Sequence, residues 1–141
     1  MDRLVRDLMH RDFIHVSPAE PVLAVLQLMS MARVRVLPVV DGGWVRGLVA
    51  HTDLAAAVLG LTGDAVDAAA PVERLVRPVP PVSPEATLPE AAQRMVGEAI
   101  PCLVAAVEDG DEAQAVGLVT ESDLLRVAYQ SRVRRGPPAA S

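Results

Sequence analysis

The octapeptide Gly47-Leu48-Val49-Ala50-His51-Thr52-Asp53-Leu54 returns near the other end of the chain as Gly117-Leu118-Val119-Thr120-Glu121-Ser122-Asp123-Leu124. Each copy closes a longer matching stretch, which begins at Ser17-Pro18 in the first half and at Ser83-Pro84 in the second. Self-similarity of this kind is the sequence signature of a repeat architecture. The sequence therefore predicts a tandem repeat, and a binding module rather than an enzyme.

The size and composition of the chain favour two half-sized units that share a core. A chain of 141 residues fits one domain of usual size, whereas each half alone would be marginal. Hydrophobic residues make up 51% of the chain, with only one Phe, one Tyr and one Trp. We expect a core of small interdigitating side chains from Val, Leu, Ala and Met.

The charge of the chain argues against nucleic acid as a partner. Its net charge is -5 and its pI is about 5.1, whereas affinity for a polyanion needs clustered basic residues. Few aromatic rings also leave few platforms on which bases could stack. All thirteen basic residues are Arg, so the chain has neither a Schiff-base lysine nor a P-loop lysine.

Cysteine usage and hydropathy bear on the cellular context. Cys102 is the only cysteine, which excludes an intramolecular disulfide, and its apolar flanks predict a buried strand residue. Arg3, Arg6 and Asp7 interrupt the first apolar stretch, so no signal peptide is visible. The longest apolar run, around residues 54–61, is too short to span a bilayer. We expect a soluble, cytoplasmic protein without a membrane partner.

Hydrophobic periodicity predicts the same order of elements in both halves: strand, helix, two strands in a hairpin, and helix. The elements predicted for the first half are a strand at 13–16, a helix at 19–32, a hairpin of 34–40 with 44–49, and a helix that Thr52 or Asp53 caps and that ends at Leu59. Those predicted for the second half are a strand at 79–82, a helix at 88–99, a hairpin of 102–107 with 115–119 across the acidic loop 108–112, and a helix capped by Ser122 or Asp123 that ends near Gln130.

These elements divide the chain into four segments. Residues 1–60 form the first predicted repeat, including a short amphipathic N-terminal helix, and 72–130 form the second, which opens with a short helical stretch. Residues 61–71 are rich in Ala, Gly and Asp and are predicted to be a linker. Residues 131–141 are basic and then rich in Pro and Ala, which predicts a disordered tail, with a weak anion contact as the alternative.

The repeated order closely resembles the CBS domain family. The resemblance rests on Val5-Arg6-Asp7-Leu8-Met9 ahead of the first strand, on Leu37-Pro38-Val39-Val40-Asp41 in the first hairpin, and on the Gly-to-Asp octapeptides. It covers residues 5–128 as a tandem pair, known as a Bateman module. It implies an α+β fold of two pseudo-symmetric β-α-β-β-α repeats packed through their sheets. It also implies a sensor that binds an adenosyl ligand (AMP, ADP, ATP, S-adenosylmethionine or a dinucleotide) in the cleft between the repeats.

The two halves match the family's site unequally. In the second half, Thr120 and Asp123 match the hydroxyl and the ribose-binding acid, and Ser122 adds a hydroxyl. In the first half Asp53 matches, but Ala50 stands where the family usually has Thr or Ser. An Asp at the first turn of a helix offers two acceptor oxygens to a ribose diol, and nearby helix N–H groups can meet a phosphate. We therefore expect the stronger site at Asp123.

Two histidines could add to the first site. His51 could donate a hydrogen bond to a phosphate in place of the missing hydroxyl, and His15 occupies a strand position where the family often carries Thr. Each candidate has a structural alternative, because Asp53 and Asp123 could simply cap helices and both histidines could be exposed or structural.

No catalytic or metal site is predicted. The chain has one Cys, three scattered His and no Gly-rich phosphate loop, so we expect neither an enzyme nor a required cofactor. The alternative to a ligand sensor is a structural dimerisation module with degraded ligand sites. Helices at 23–31 and 124–129 carry apolar residues on more than one face, which predicts a homodimer. An effector protein is the other expected partner, and the sequence does not name it.

Overall fold

A computed structural model describes residues 3–134 of the chain and shows an α+β fold, as predicted. Its helices are α1 (Val5–Leu8), α2 (Val22–Ala32), α3 (His51–Val58), α4 (Leu88–Glu98) and α5 (Glu121–Arg134), with a 3₁₀ helix at Val72–Leu75. Its strands are β1 (Val36–Asp41), β2 (Trp44–Ala50), β3 (Cys102–Asp109) and β4 (Glu112–Thr120).

The four strands form one antiparallel sheet in the order β1-β2-β4-β3. Each repeat contributes a hairpin, and the two hairpins meet where Trp44 pairs with Gln114. The first hairpin turns at Gly42 and Gly43, which have φ values of 59° and 91° that glycine adopts without a steric penalty. The repeats are therefore joined edge to edge within one sheet.

The second hairpin is longer than the first, and its extra length lies in the strands. The repeat offset grows from 66 residues at Ser17 to 70 at Gly47. The predicted acidic loop at 108–112 is wrong, because Asp109 pairs with Glu112 across a two-residue turn. Strands β3 and β4, with 8 and 9 residues, each exceed their counterparts of 6 and 7 residues by two.

The first predicted strand of each repeat is reduced to one bridge. Val16 pairs with Val39, and Val82 pairs with Ala105, both in parallel. To extend either bridge, the backbone N–H two residues further along the chain would have to donate to the partner strand. Those positions are Pro18 in the first repeat and Pro84 in the second. Proline has no N–H, so each ladder stops after one pair.

Each repeat builds its own hydrophobic core but completes it with residues of the other repeat. Val5 of α1 is fully buried in the core of the second repeat, and Val72 of the 3₁₀ helix is fully buried in the core of the first. The backbone N–H of Val5 donates to the oxygen of Ala86 at 2.8 Å, and that of Val72 to the oxygen of Glu20 at 2.9 Å. We call residues 4–10 and 71–77 the leading segments, which the two repeats exchange.

The linker and the last helix differ in part from their predicted form. Ala68 and Ala70 of the linker accept backbone hydrogen bonds from Leu23 and Val22, so the linker packs on the start of α2. Helix α5 continues past Gln130 to Arg134, four residues into the segment predicted to be disordered. Residues 135–141 of that segment lie outside the described residues.

Candidate functional site

The repeated glycines let each leading segment lie directly on a strand of the other repeat. A Cβ at Gly47 would overlap the Arg77 carbonyl oxygen, and one at Gly117 would lie 2.7 Å from Met9 Sδ. Arg77 and Leu48 exchange backbone hydrogen bonds of 2.8 and 2.9 Å, and His10 and Leu118 do the same at 2.8 and 2.9 Å. A basic residue of one repeat is thereby fixed beside the first helical turn that follows the other repeat's hairpin.

Asp123 is buried, with 4% of its surface exposed, and it bonds to the residue before α5. Its Oδ2 accepts hydrogen bonds from the backbone N–H and the hydroxyl of Thr120 at 3.0 and 2.8 Å. In return, the Asp123 backbone N–H donates to Thr120 Oγ1 at 3.2 Å. Thr120 is thus the N-cap of α5, in place of the predicted Ser122 or Asp123, and Asp123 is its reciprocal partner.

His10 supplies the third hydrogen-bond donor of Asp123, and Arg126 Nη1 lies 3.9 Å from Oδ1 as a longer ion pair. The Nε2 of His10 lies 2.9 Å from Oδ1 and 3.1 Å from Oδ2 of the acid. An ionised carboxylate can only accept hydrogen bonds, so Nε2 carries the proton. Burial alone would raise the pKa of Asp123, but the hydrogen bonds from His10 and Thr120 outweigh burial and hold that pKa below its ordinary value.

Asp53 has a different environment at the equivalent position of α3. Ala50 precedes this helix and makes no side-chain cap, so the predicted capping by Thr52 or Asp53 is wrong. The Asp53 carboxylate instead accepts hydrogen bonds from Arg77 Nε at 2.6 Å and Arg77 Nη2 at 2.8 Å. This bidentate pair raises the pKa of Arg77, first through hydrogen bonding and then through charge attraction. The Asp53 side chain stays 32% exposed.

Sequence reasoning missed His10 and Arg77, which occupy equivalent positions of the two leading segments. The first segment contains Val5-Arg6-Asp7-Leu8-Met9-His10, and the second contains Val72-Glu73-Arg74-Leu75-Val76-Arg77. Both follow the pattern Val-x-x-Leu-apolar-basic at a spacing of 67 residues. This shared basic position was the available signal. The contacts of these basic residues with Asp123 and Asp53 could not be read from the pattern, because they depend on the exchange of the leading segments.

A cavity of about 350 Å³ lies between the two repeats, and its lining includes Arg77, the partner of Asp53. Its volume is within the range of small-ligand pockets, which is about 300–1,000 Å³. We call this cavity the Asp53 cleft. The residues that line it come from both repeats and from the second leading segment: Arg35, Val36, Leu48, Ala50, Thr52, Arg77, Ala99, Ile100 and Pro101.

The structure does not bring the other candidate residues to the acids. His15 is exposed, and its ring centroid lies 5.5 Å from that of Phe13. His51 is half-buried, and its backbone N–H donates to the oxygen of Arg35 at 2.7 Å. Ser122 is exposed at the start of α5. Within residues 3–134, these three side chains form no hydrogen bond with either acid.

The structure also bears on reactive and metal-binding groups. Cys102 is buried, and burial raises the pKa of its thiol to about 11, so it stays protonated at neutral pH. Among the described residues, no three His, Cys, Asp or Glu side chains form a group that could hold a metal ion. No helix in the same part of the chain has the length and apolarity needed to cross a membrane.

The protein-family model for the CBS domain matches the sequence twice, over residues 5–60 and over residues 72–129. The chain therefore belongs to the CBS domain family, as a tandem pair of the kind the two octapeptides predicted. No curated protein sequence shows significant similarity to it.

Solved structures share this fold over nearly the whole chain. One, described as an acetoin utilization protein (AcuB) from Vibrio cholerae, is 25% identical with a TM-score of 0.77, and the match covers 98% of this chain and all of that one. CBSX2 in complex with AMP is 26% identical with a TM-score of 0.72 over 91% of this chain and 97% of that one. The CBS domain pair of protein MJ0100, bound to 5'-methylthioadenosine and S-adenosylmethionine, shares the fold at 19% identity with a TM-score of 0.75 over 94% of this chain and all of that one.

Proposed function

We propose that this CBS pair is a regulatory module that binds an adenosyl ligand between its repeats. The observation that carries the proposal is the Asp53 cleft, a cavity of about 350 Å³ lined by Thr52 and by Arg77, the partner of the partly exposed Asp53 carboxylate. A carboxylate at the first turn of a helix can accept hydrogen bonds from both hydroxyls of a ribose. Nothing in this role requires catalysis.

The lining of the cleft suits a flat base as well as a sugar. Val36, Leu48 and Ile100 supply aliphatic surface, and the side chains of Thr52 and Arg35 supply polar groups. Ligand pockets usually combine apolar walls with a few polar groups that fix orientation. AMP in CBSX2, and methylthioadenosine and S-adenosylmethionine in MJ0100, support an adenosyl compound as the ligand class.

A thermal-shift panel tests this function. A ligand present at a hundredfold over its Kd stabilises the folded state by about 2.7 kcal/mol. For a chain of this size we expect AMP, ADP, ATP or S-adenosylmethionine to raise the Tm by roughly 5–10 °C. Guanosine monophosphate serves as the matched control. An unchanged Tm with every adenosyl compound would contradict the proposed function.

A purely structural dimer is the second candidate, and the exposed apolar side chains on α4 and α5 favour it. Val96, Leu125 and Tyr129 are 83%, 65% and 71% exposed. Apolar surface of this kind is typical of a protein interface. Light scattering that shows a dimer, together with no response to adenosyl compounds, would support this candidate. An effector protein would be sought only once a ligand response is established.

A further inference from the structure

The two acids are not equally available to a ligand, and the difference follows from what already bonds to them. Building on the ligand-binding role proposed above, we propose that each chain binds one ligand, in the Asp53 cleft, and that Arg35 selects an adenosine compound carrying phosphate.

Asp123 has too few acceptor sites left for a ribose. A carboxylate has about four lone-pair sites. Three donor groups already reach Asp123: the Thr120 N–H at 3.0 Å, the Thr120 hydroxyl at 2.8 Å and His10 Nε2 at 2.9 Å. The one remaining site lies on Oδ1, in a side chain that is only 5% exposed. Two ribose hydroxyls could bind only if His10 moved away, which would leave the buried acid without that partner.

Asp53 keeps two acceptor sites, one on each oxygen. Arg77 is its only hydrogen-bond donor within residues 3–134, through Nε to Oδ2 and Nη2 to Oδ1. A ribose diol can therefore bind Asp53 while the ion pair with Arg77 stays intact. The Asp53 side chain is also 32% exposed. This count reverses the order expected from sequence, in which the missing hydroxyl at Ala50 weakened the first site.

The charges around the Asp53 cleft favour an anionic ligand. Two arginines, Arg35 and Arg77, line the cavity, and Asp53 adjoins it as the ion-pair partner of Arg77. Asp53 neutralises Arg77, whereas none of the ion pairs among the described residues involves Arg35. A phosphate accepts charge-assisted hydrogen bonds from guanidinium groups, but the sulfonium of S-adenosylmethionine would add to the positive charge.

Isothermal titration calorimetry of the whole chain with AMP, adenosine and S-adenosylmethionine tests the proposal. We expect one AMP per chain. AMP should bind at least about tenfold more tightly than adenosine, since a hydrogen bond to a charged group is worth about one decade or more in affinity. S-adenosylmethionine should bind no more tightly than adenosine.

Single substitutions separate the roles of the residues. Arg35→Gln should weaken AMP binding about tenfold and leave adenosine binding unchanged, whereas Arg74→Gln, an exposed arginine outside the cleft, should change neither. Asp53→Asn should weaken both ligands about tenfold or more. His10→Gln should leave AMP binding within about threefold of wild type, and circular dichroism would confirm that each variant is folded.

Each possible result decides a different part of the inference. Two AMP molecules per chain, or loss of binding in His10→Gln but not in Asp53→Asn, would overturn the assignment to the Asp53 cleft. Equal affinity for AMP and adenosine would overturn only the proposed selection for phosphate. If wild type bound no adenosine compound at all, the proposed function itself would fall.

Discussion

At the scale of single residues, Asp123 links the stability of the protein to pH. Its pKa in the folded chain is held below the ordinary value, so the folded state binds fewer protons than the unfolded state as the pH falls. The stability that Asp123 contributes is complete above its unfolded pKa. It is lost as the pH falls through the lower, folded pKa.

We therefore predict that the free energy of unfolding of wild type declines below about pH 4, and that Asp123→Asn makes this decline shallower. At neutral pH the same substitution should cost about 1–3 kcal/mol, because it weakens charge-assisted hydrogen bonds in a buried site. Urea unfolding at a series of pH values measures both effects. Asp64→Asn, at an exposed position of the linker, is the matched control. An equally steep decline of the free energy of unfolding below pH 4 in wild type and in Asp123→Asn would contradict the prediction.

Alanine substitutions at Gly47 and Gly97 are expected to change the stability of the protein in opposite directions. Gly47→Ala should destabilise the protein by about 2 kcal/mol or more, because φ is +143° there and a Cβ would overlap the backbone of Arg77. Gly97→Ala should instead stabilise it by about 0.5–1 kcal/mol, since Gly97 lies within α4 and a Cβ would meet nothing within 4 Å. Thermal unfolding of both variants checks the signs.

At the scale of elements, the start of α5 depends on the reciprocal bonds of Thr120 and Asp123. Thr120→Ala should destabilise the protein by about 1–2 kcal/mol, because it removes the N-cap and one hydrogen bond of a buried acid. Thr62→Ala, at an exposed position of the linker, should have little effect. Urea unfolding of both variants measures the two effects. A Thr120→Ala midpoint equal to that of wild type would show that the cap does not stabilise α5.

The elements that the sequence predicts well are those defined by local pattern. The β-branched run of β1 and the turn at Gly42-Gly43 identify the first hairpin, since alternation and turn chemistry act between neighbours. The single bridges at Val16 and Val82 could not be predicted, because their extent depends on a distant strand and on the prolines that follow. The contacts of His10 and Arg77 with the acids depend likewise on which repeat each leading segment joins. The bonding of Thr120 with Asp123 was not predicted either, since the cap was expected at Ser122 or Asp123, although the second octapeptide holds the three-residue spacing of a cap and its partner.

At the scale of the whole molecule, the exchange of leading segments makes the two repeats one cooperative unit. Val5→Ala should lower the stability of the entire chain by about 1–3 kcal/mol, because Val5 fills the core of the opposite repeat. Unfolding should remain a single transition, whichever repeat is observed. Val96→Ala, at a position on α4 that is 83% exposed, is the matched control. Two separate transitions, with only one shifted by Val5→Ala, would show that the repeats unfold independently.

The reciprocal burial of Val5 and Val72 also has a consequence for ancestry. In this fold each repeat receives its leading segment from the other, so a lone repeat with the same core would take that segment from a second copy. Two identical copies that lend each other the same segment form a closed twofold dimer. The tandem chain has the geometry of such a dimer with its two partners joined by residues 61–71, as duplication of a single-repeat gene would produce.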